Sequence, residues 1–176
     1  MINVSKEGEI MAQKLYKKGD LLVYRREVCR VIRIAKSDFT KEKCYVLVPF
    51  ANPDGSVKMQ VPISDKGGHL RDMITKEEIQ VLIEAIKNQE PVESKTSNLK
   101  SQYSNLLNSD SLEDLVRIIK TSYQRNQQRI AQNKRTASID DEYLHKAEKY
   151  LFNEIAASLN ISYEEAEQYF KEQVNR

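Results

Sequence analysis

The sequence predicts an α+β chain in two domains, a small antiparallel β domain followed by an all-α helical bundle. Three features of the 176 residues lead there. Between Gly19 and Ile63, four apolar runs (GDLLVYR, VCRVIRIAK, KCYVLVPF and VKMQVPI) are rich in Val, Ile, Leu and Tyr, which fit a pleated, half-buried surface. From Thr75 onward the apolar residues recur at helical spacing instead. Between the two regimes stands the breaker Gly67-Gly68. The domains are accordingly placed at 14–68 and 74–176, with 1–13 expected to be a disordered leader, as untethered polar termini usually are.

In the β domain each run is a strand. Asn52-Pro53-Asp54-Gly55 supplies the turn between the last two. Pro49 and Pro62 stand at strand ends, where a missing N–H costs little. So few strands cannot close on all sides, and an open edge is either protected or used to pair with another protein. Cys29 and Cys44 fall inside strands without the spacing of a disulfide framework or zinc site; they read as small buried residues in a reducing compartment.

Thr75 opens the first helix, with Glu78 at the capping-box position and Ile79, Leu82, Ile83 and Ile86 on one apolar face. Residues 88–98, with Pro91, form a polar link. A short helix from Leu99 places Leu99, Tyr103 and Leu106 on one side. Ser111 with Asp114 is expected to box the next, whose stripe of Leu112, Leu115, Val116, Ile119, Tyr123 and Ile130 reads as core at about 100° per residue. Ser138 starts a further helix, with Asp140 and Asp141 at its positive end and Ile139, Tyr143, Leu144, Ala147, Tyr150, Leu151, Ile155 and Leu159 on its buried side. Asn160 is its left-handed stop, and Ser162 with Glu165 boxes the last helix, lined by Tyr163, Ala166, Phe170 and Val174. The bundle thus has about five helices.

A net charge of +2 says little about partners, but its distribution is uneven. Between Asp114 and Asp140 there is no acidic residue, while Arg117, Lys120, Arg125, Arg129, Lys134 and Arg135 are all cationic. Such a run reads as a phosphate-contacting surface in preference to a merely solvated face. No stretch approaches the roughly 18 apolar residues of a membrane span, and the polar start MINVSKEGEI lacks the hydrophobic region of a signal peptide, so a cytoplasmic location is expected.

The parts of an enzyme are few. His69 and His145 sit one in each half, and no HExxH, GxGxxG or GxxxxGK[ST] pattern occurs. Glu77-Glu78 and Glu164-Glu165 lie at helix starts, where capping accounts for them. No catalytic residue, metal site or cofactor is expected.

The order GDLLVY, VCRVIRI, YVLVPF, then VPI followed by LRDMITKEE resembles the bacterial CarD/CdnL family of transcription regulators, over about Tyr16 to Phe170. That family shares its first domain with the RNA polymerase-interaction module of the transcription-repair coupling factor. The resemblance implies a Tudor-like sheet that docks on the polymerase β subunit by strand addition. It also implies a helical domain that touches promoter DNA at the upstream fork of the bubble and stabilises the open complex, in a monomeric, nucleoid-associated protein. Polymerase-facing positions carry over to Lys36, Lys58 and Gln60, with glutamine where some relatives carry arginine. DNA-facing positions carry over to Leu99, Lys100 and Tyr103, with Arg125, Arg129, Lys134 and Arg135 as added cations.

Two departures bear on this. Relatives place a tryptophan wedge where Leu99 stands, and the chain has no tryptophan; a leucine there is either a smaller wedge or a core residue beside Tyr103 and Leu106. The glycine usual in the turn after the first strand is missing, since Tyr24-Arg25-Arg26-Glu27 runs straight into Val28, and a different hairpin geometry is expected because non-glycine residues resist positive φ. Two alternatives stand beside the regulator: a protein-only polymerase adaptor whose DNA contact has decayed, and an RNA-binding module using Tyr24 and Tyr45.

Overall fold

The computed structural model describes residues 14–92 and 98–174. The leader at 1–13, the middle of the polar link at 93–97 and the side chain of Val174 lie outside the described residues. Five strands come first: β1 (Leu21–Tyr24), β2 (Glu27–Lys36), β3 (Lys43–Pro49), β4 (Met59–Pro62) and β5 (Leu70–Arg71). Five helices follow: α1 (Lys76–Lys87), α2 (Leu99–Asn108), α3 (Leu112–Ala131), α4 (Ser138–Leu159) and α5 (Tyr163–Val174). The chain is therefore α+β.

The sheet is antiparallel throughout, in the order β4-β3-β2-β1-β5. A bulge between Val31 and Arg33 interrupts the β2–β3 register, and such an irregularity bends and coils the sheet. On one face Leu22, Cys29, Val31, Tyr45, Leu47 and Val61 pack with Tyr16 into one apolar cluster. The chain entering the sheet is tied down by Tyr16, whose N–H donates to the Tyr45 hydroxyl at 3.1 Å and whose own hydroxyl donates to Asp72 at 2.9 Å.

Gly67-Gly68 does not end the sheet. The Asp65 carboxylate accepts the N–H groups of His69 (2.9 Å) and Leu70 (3.0 Å), and Gly68 takes φ 62°, so the chain turns back and β5 pairs with β1. Two residues are too few to leave a periodic signal, which hides this strand from sequence. The hairpin between β1 and β2 also departs from expectation. Tyr24 pairs directly with Glu27, leaving the two-residue loop Arg25-Arg26, and both arginines adopt positive φ, 46° and 75°. That is the signature of a type I′ turn, usually given to Asn and Gly.

In the helical part, Thr75 and Glu78 bond each other's backbone N–H groups at 3.2 and 2.8 Å, and Ser162 and Glu165 do the same at 3.1 and 2.8 Å. Asn160 sits in the left-handed region at φ 55°. The box expected at Ser111 does not form: the Asp114 carboxylate instead accepts from the Ser109 hydroxyl at 2.6 Å. The α3 stripe needs a larger correction. Leu115 and Val116 are core, but Tyr123 and Ile130 are 58% and 51% exposed. The second half of α3 buries Ser122 and Asn126, which are held by hydrogen bonds, where the apolar stripe would have predicted Tyr123 and Ile130. On α4, Tyr143, Ala147, Leu151 and Ile155 are buried as expected, and Asp140, Phe152 and Glu154 join them, while Ile139, Leu144, Tyr150 and Leu159 are only partly covered. The main helical core gathers Ile79, Ile83, Leu99, Tyr103, Leu115, Leu151 and Phe170. Among the described residues no helix is long and apolar enough to cross a membrane.

Candidate functional site

The sheet has two edges, and they differ. Past β5 the chain is clamped to α4: the Arg71 guanidinium meets both Glu154 oxygens at 2.6 and 2.8 Å, Glu154 also accepts the Ile74 N–H at 2.9 Å, and Ser158 donates to the Ile74 carbonyl at 2.6 Å. Burial alone would lower the Arg71 pKa, and Glu154 more than offsets it, leaving that guanidinium firmly charged. Among the described residues no helix packs on β4 at the opposite edge.

Which groups β4 offers follows from its register. Ile63 N–H donates to the Lys43 carbonyl at 3.0 Å, and β3 pairs Cys44, Tyr45, Val46 and Leu47 with Pro62, Val61, Gln60 and Met59. Alternation in an antiparallel ladder then turns the backbone groups of Met59, Val61 and Ile63 toward β3 and those of Lys58 and Gln60 outward. Pro62 faces outward as well, with a carbonyl and no N–H. Of the sequence-predicted protein-facing residues, Lys58 and Gln60 thus stand on the free edge with exposed side chains. Lys36 is exposed at the end of β2, two strands inward.

The DNA-facing residues fare differently. Leu99 and Tyr103 are 1% and 0% exposed, so the wedge reading of Leu99 gives way to the core reading. Tyr103 donates its hydroxyl to Asp140 at 2.7 Å and accepts from Ser122 at 3.1 Å, while Arg125 Nε reaches both Asp140 oxygens at 3.1 Å. Burial pushes the Tyr103 hydroxyl pKa up, and Asp140 adds to the effect. Arg125 is therefore the counter-ion of a fully buried carboxylate and not a free phosphate ligand. Lys100 is exposed.

The acid-free run divides in the same way. Lys120 donates to the Ile86 and Gln89 carbonyls and so closes the C-terminus of α1. Arg117 pairs with Asp114 at 3.6 Å. Sequence periodicity could not show the Lys120 contacts, because its partners lie at the end of α1, whereas Asp114 stands one turn before Arg117 on α3 itself. Three cations remain at the end of α3. There Asn133 takes φ 57°, its N–H bonds the Ile130 carbonyl at 2.9 Å, and the Lys134 N–H bonds the Arg129 carbonyl at 2.9 Å, a Schellman stop. Arg129 Nε returns to the Arg135 carbonyl at 2.7 Å, while Lys134 and Arg135 are exposed. Cations at this place complement the negative end of the helix as well as any phosphate.

Arg26, which the sequence did not single out, is a second link between sheet and helices. At 5% exposure its guanidinium donates to the Leu107 carbonyl (3.2 Å), the Leu106 carbonyl (3.1 Å), the Ser111 carbonyl (3.0 Å) and the Ser109 hydroxyl (2.9 Å). It thereby satisfies the last turn of α2 and the Ser111 carbonyl ahead of α3 with one planar cation. Burial lowers its pKa and nearby Arg71 adds to that, with Asp110, Asp114 and Glu154 opposing. The only forward signal was the missing glycine in the hairpin.

Other candidates separate. His69, in the turn before β5, and His145, on α4, are both exposed. Tyr45 is buried and Tyr24 half-buried beneath the Arg25 guanidinium, 5.4 Å from its ring, which removes the stacking platform an RNA-binding sheet needs. Cys29 and Cys44 are buried free thiols, and burial pushes Cys29 up to about 12. No protein-family model matches the chain, and no curated protein matches it.

Proposed function

We propose that this protein is a CarD/CdnL-like bacterial transcription regulator of two domains, whose Tudor-like sheet docks on the RNA polymerase β subunit by adding a partner strand to β4. The free outward edge of Lys58 and Gln60 carries the proposal. Main-chain bonds along such an edge supply affinity, and the exposed side chains supply selectivity. In this reading the helical domain lies against promoter DNA at the upstream fork and offers Lys100, Arg129, Lys134 and Arg135 to phosphates. Phosphate contacts of this kind position without specifying sequence. The protein acts in the cytoplasm at the nucleoid, as a monomer.

The protein-only adaptor is the second reading. The burial of Leu99 and Tyr103 and the pairing of Arg125 with Asp140 favour it, because they remove the wedge and one cation from the DNA surface. Retention of the full chain on an immobilised polymerase β fragment tests the shared part, and absence of retention at low salt would defeat both readings. Binding to fork-junction DNA across a salt series separates them: a steep slope of log K against log salt favours the regulator, and negligible binding favours the adaptor.

A further inference from the structure

A four-residue edge is short. At about 3.3 Å per residue it spans about 13 Å. Pro62, lacking an N–H, ends the outward template on one side. A partner strand continuing past that point loses the backbone ladder and must be held by something else. The Ile63 to Lys43 bond places the β2–β3 hairpin there, because that hairpin extends β3 beyond its pairing with β4.

The tip of this hairpin carries Phe39, 93% exposed. It is not a loose loop. The buried Ser37 hydroxyl accepts the N–H groups of Phe39 and Thr40, both at 3.3 Å, Ser37 N–H bonds the Glu42 carbonyl at 2.8 Å, and Lys41 turns the chain at φ 60° with its N–H on the Ser37 carbonyl at 3.1 Å. An aromatic residue presented by an ordered turn has its backbone ordering cost already met before a partner arrives. Ile34, 48% exposed on β2, adds apolar area on the same half of the sheet. Along edge and tip, exposed Lys36, Lys41, Lys43, Lys58 and Lys66 outnumber exposed Asp38, Glu42 and Asp54.

We infer that Phe39 is an aromatic anchor for the segment that pairs with β4, seated in an apolar cleft of the partner that is flanked by carboxylates. The inference rests on the polymerase β reading above and adds to it a second contact point and the chemistry of the surface it fits. Buried aromatic anchors dominate interface energetics, whereas rim lysines mainly speed association and confer salt dependence.

The test uses the full chain and the purified β fragment, comparing wild type, Phe39→Ala and Gln60→Pro for affinity and for thermal midpoint. Phe39→Ala should bind about thirtyfold more weakly, the loss typical of an interface hot spot, with an unchanged midpoint. Gln60→Pro should abolish binding by removing an outward N–H. If Gln60→Pro abolishes binding while Phe39→Ala binds like wild type, the anchor is refuted and the edge reading survives. If wild type itself does not bind, the edge reading falls and the anchor falls with it.

Discussion

Replacing Arg26 by alanine tests the connection between sheet and helices. The side chain makes four hydrogen bonds from a buried position, three of them to the Leu106, Leu107 and Ser111 carbonyls at the end of α2 and just ahead of α3. Hydrogen bonds from a charged donor contribute about 1.5–3 kcal/mol each, but four on one guanidinium share a single desolvation cost and do not add. Truncation also relieves the burial that lowers the Arg26 pKa. A net loss of about 3 kcal/mol is the expected outcome, a large part of the stability of an ordinary small protein. A second variant isolates the backbone. Position 26 holds φ 75°, where any L-residue with a Cβ is strained by about 1 kcal/mol relative to glycine. Arg26→Gly should therefore lose only about 2 kcal/mol, reversing the usual order in which glycine is the more damaging change. Urea unfolding at neutral pH measures both, and hydrogen exchange at the end of α2 should report local opening. A loss below about 1 kcal/mol for Arg26→Ala, or a glycine variant less stable than the alanine one, would rule out this role for the side chain.

Further outcomes follow from the same contacts. Leu99→Ala empties a fully buried site and should cost about 2–5 kcal/mol, leaving the DNA affinity of the folded protein unchanged; a stable variant with weakened fork binding would restore Leu99 as a wedge. Gln60→Pro, on an outward N–H, should leave the unfolding free energy in urea within about 0.5 kcal/mol of wild type, and a large shift would mean the edge is not free. Glu154→Gln removes the buried counter-charge of the half-buried Arg71 and should lose about 2–3 kcal/mol by denaturant titration, whereas a neutral result would mean water replaces the clamp. Cys29 ionises near about 8.5 in the unfolded chain. Burial holds it protonated to about 12 in the folded one. The unfolded chain binds fewer protons between these values, so stability falls as pH rises through that window. Cys29→Ala should make the decline shallower, and identical slopes would contradict the assignment.

What could be foreseen from sequence was local. Thr75 with Glu78, Ser162 with Glu165 and Asn160 as a helix stop each depend on residues within one turn, and each formed as read. The same logic failed at Ser111 because its neighbourhood is shared with a residue far away in the chain: Arg26 takes the Ser111 carbonyl and the Ser109 hydroxyl, and Ser109 draws Asp114 from the cap. Charge patterning failed for a similar reason. Arg125 and Lys120 look free along the chain, and only the approach of Asp140 and of the α1 terminus reveals them as internal partners. The β4 edge could be anticipated as an unclosed sheet, yet which backbone groups face outward depends on register, which no apolar run encodes.

Pro62 carries a further implication. Two copies of this chain meeting edge to edge would pair symmetrically about Gln60, bringing each Pro62 opposite a Lys58. One bond would be absent at either end of that duplex, where the missing Pro62 N–H would have met the Lys58 carbonyl. Self-association through this edge is thereby made poorer than pairing with a strand whose own amides can all be used.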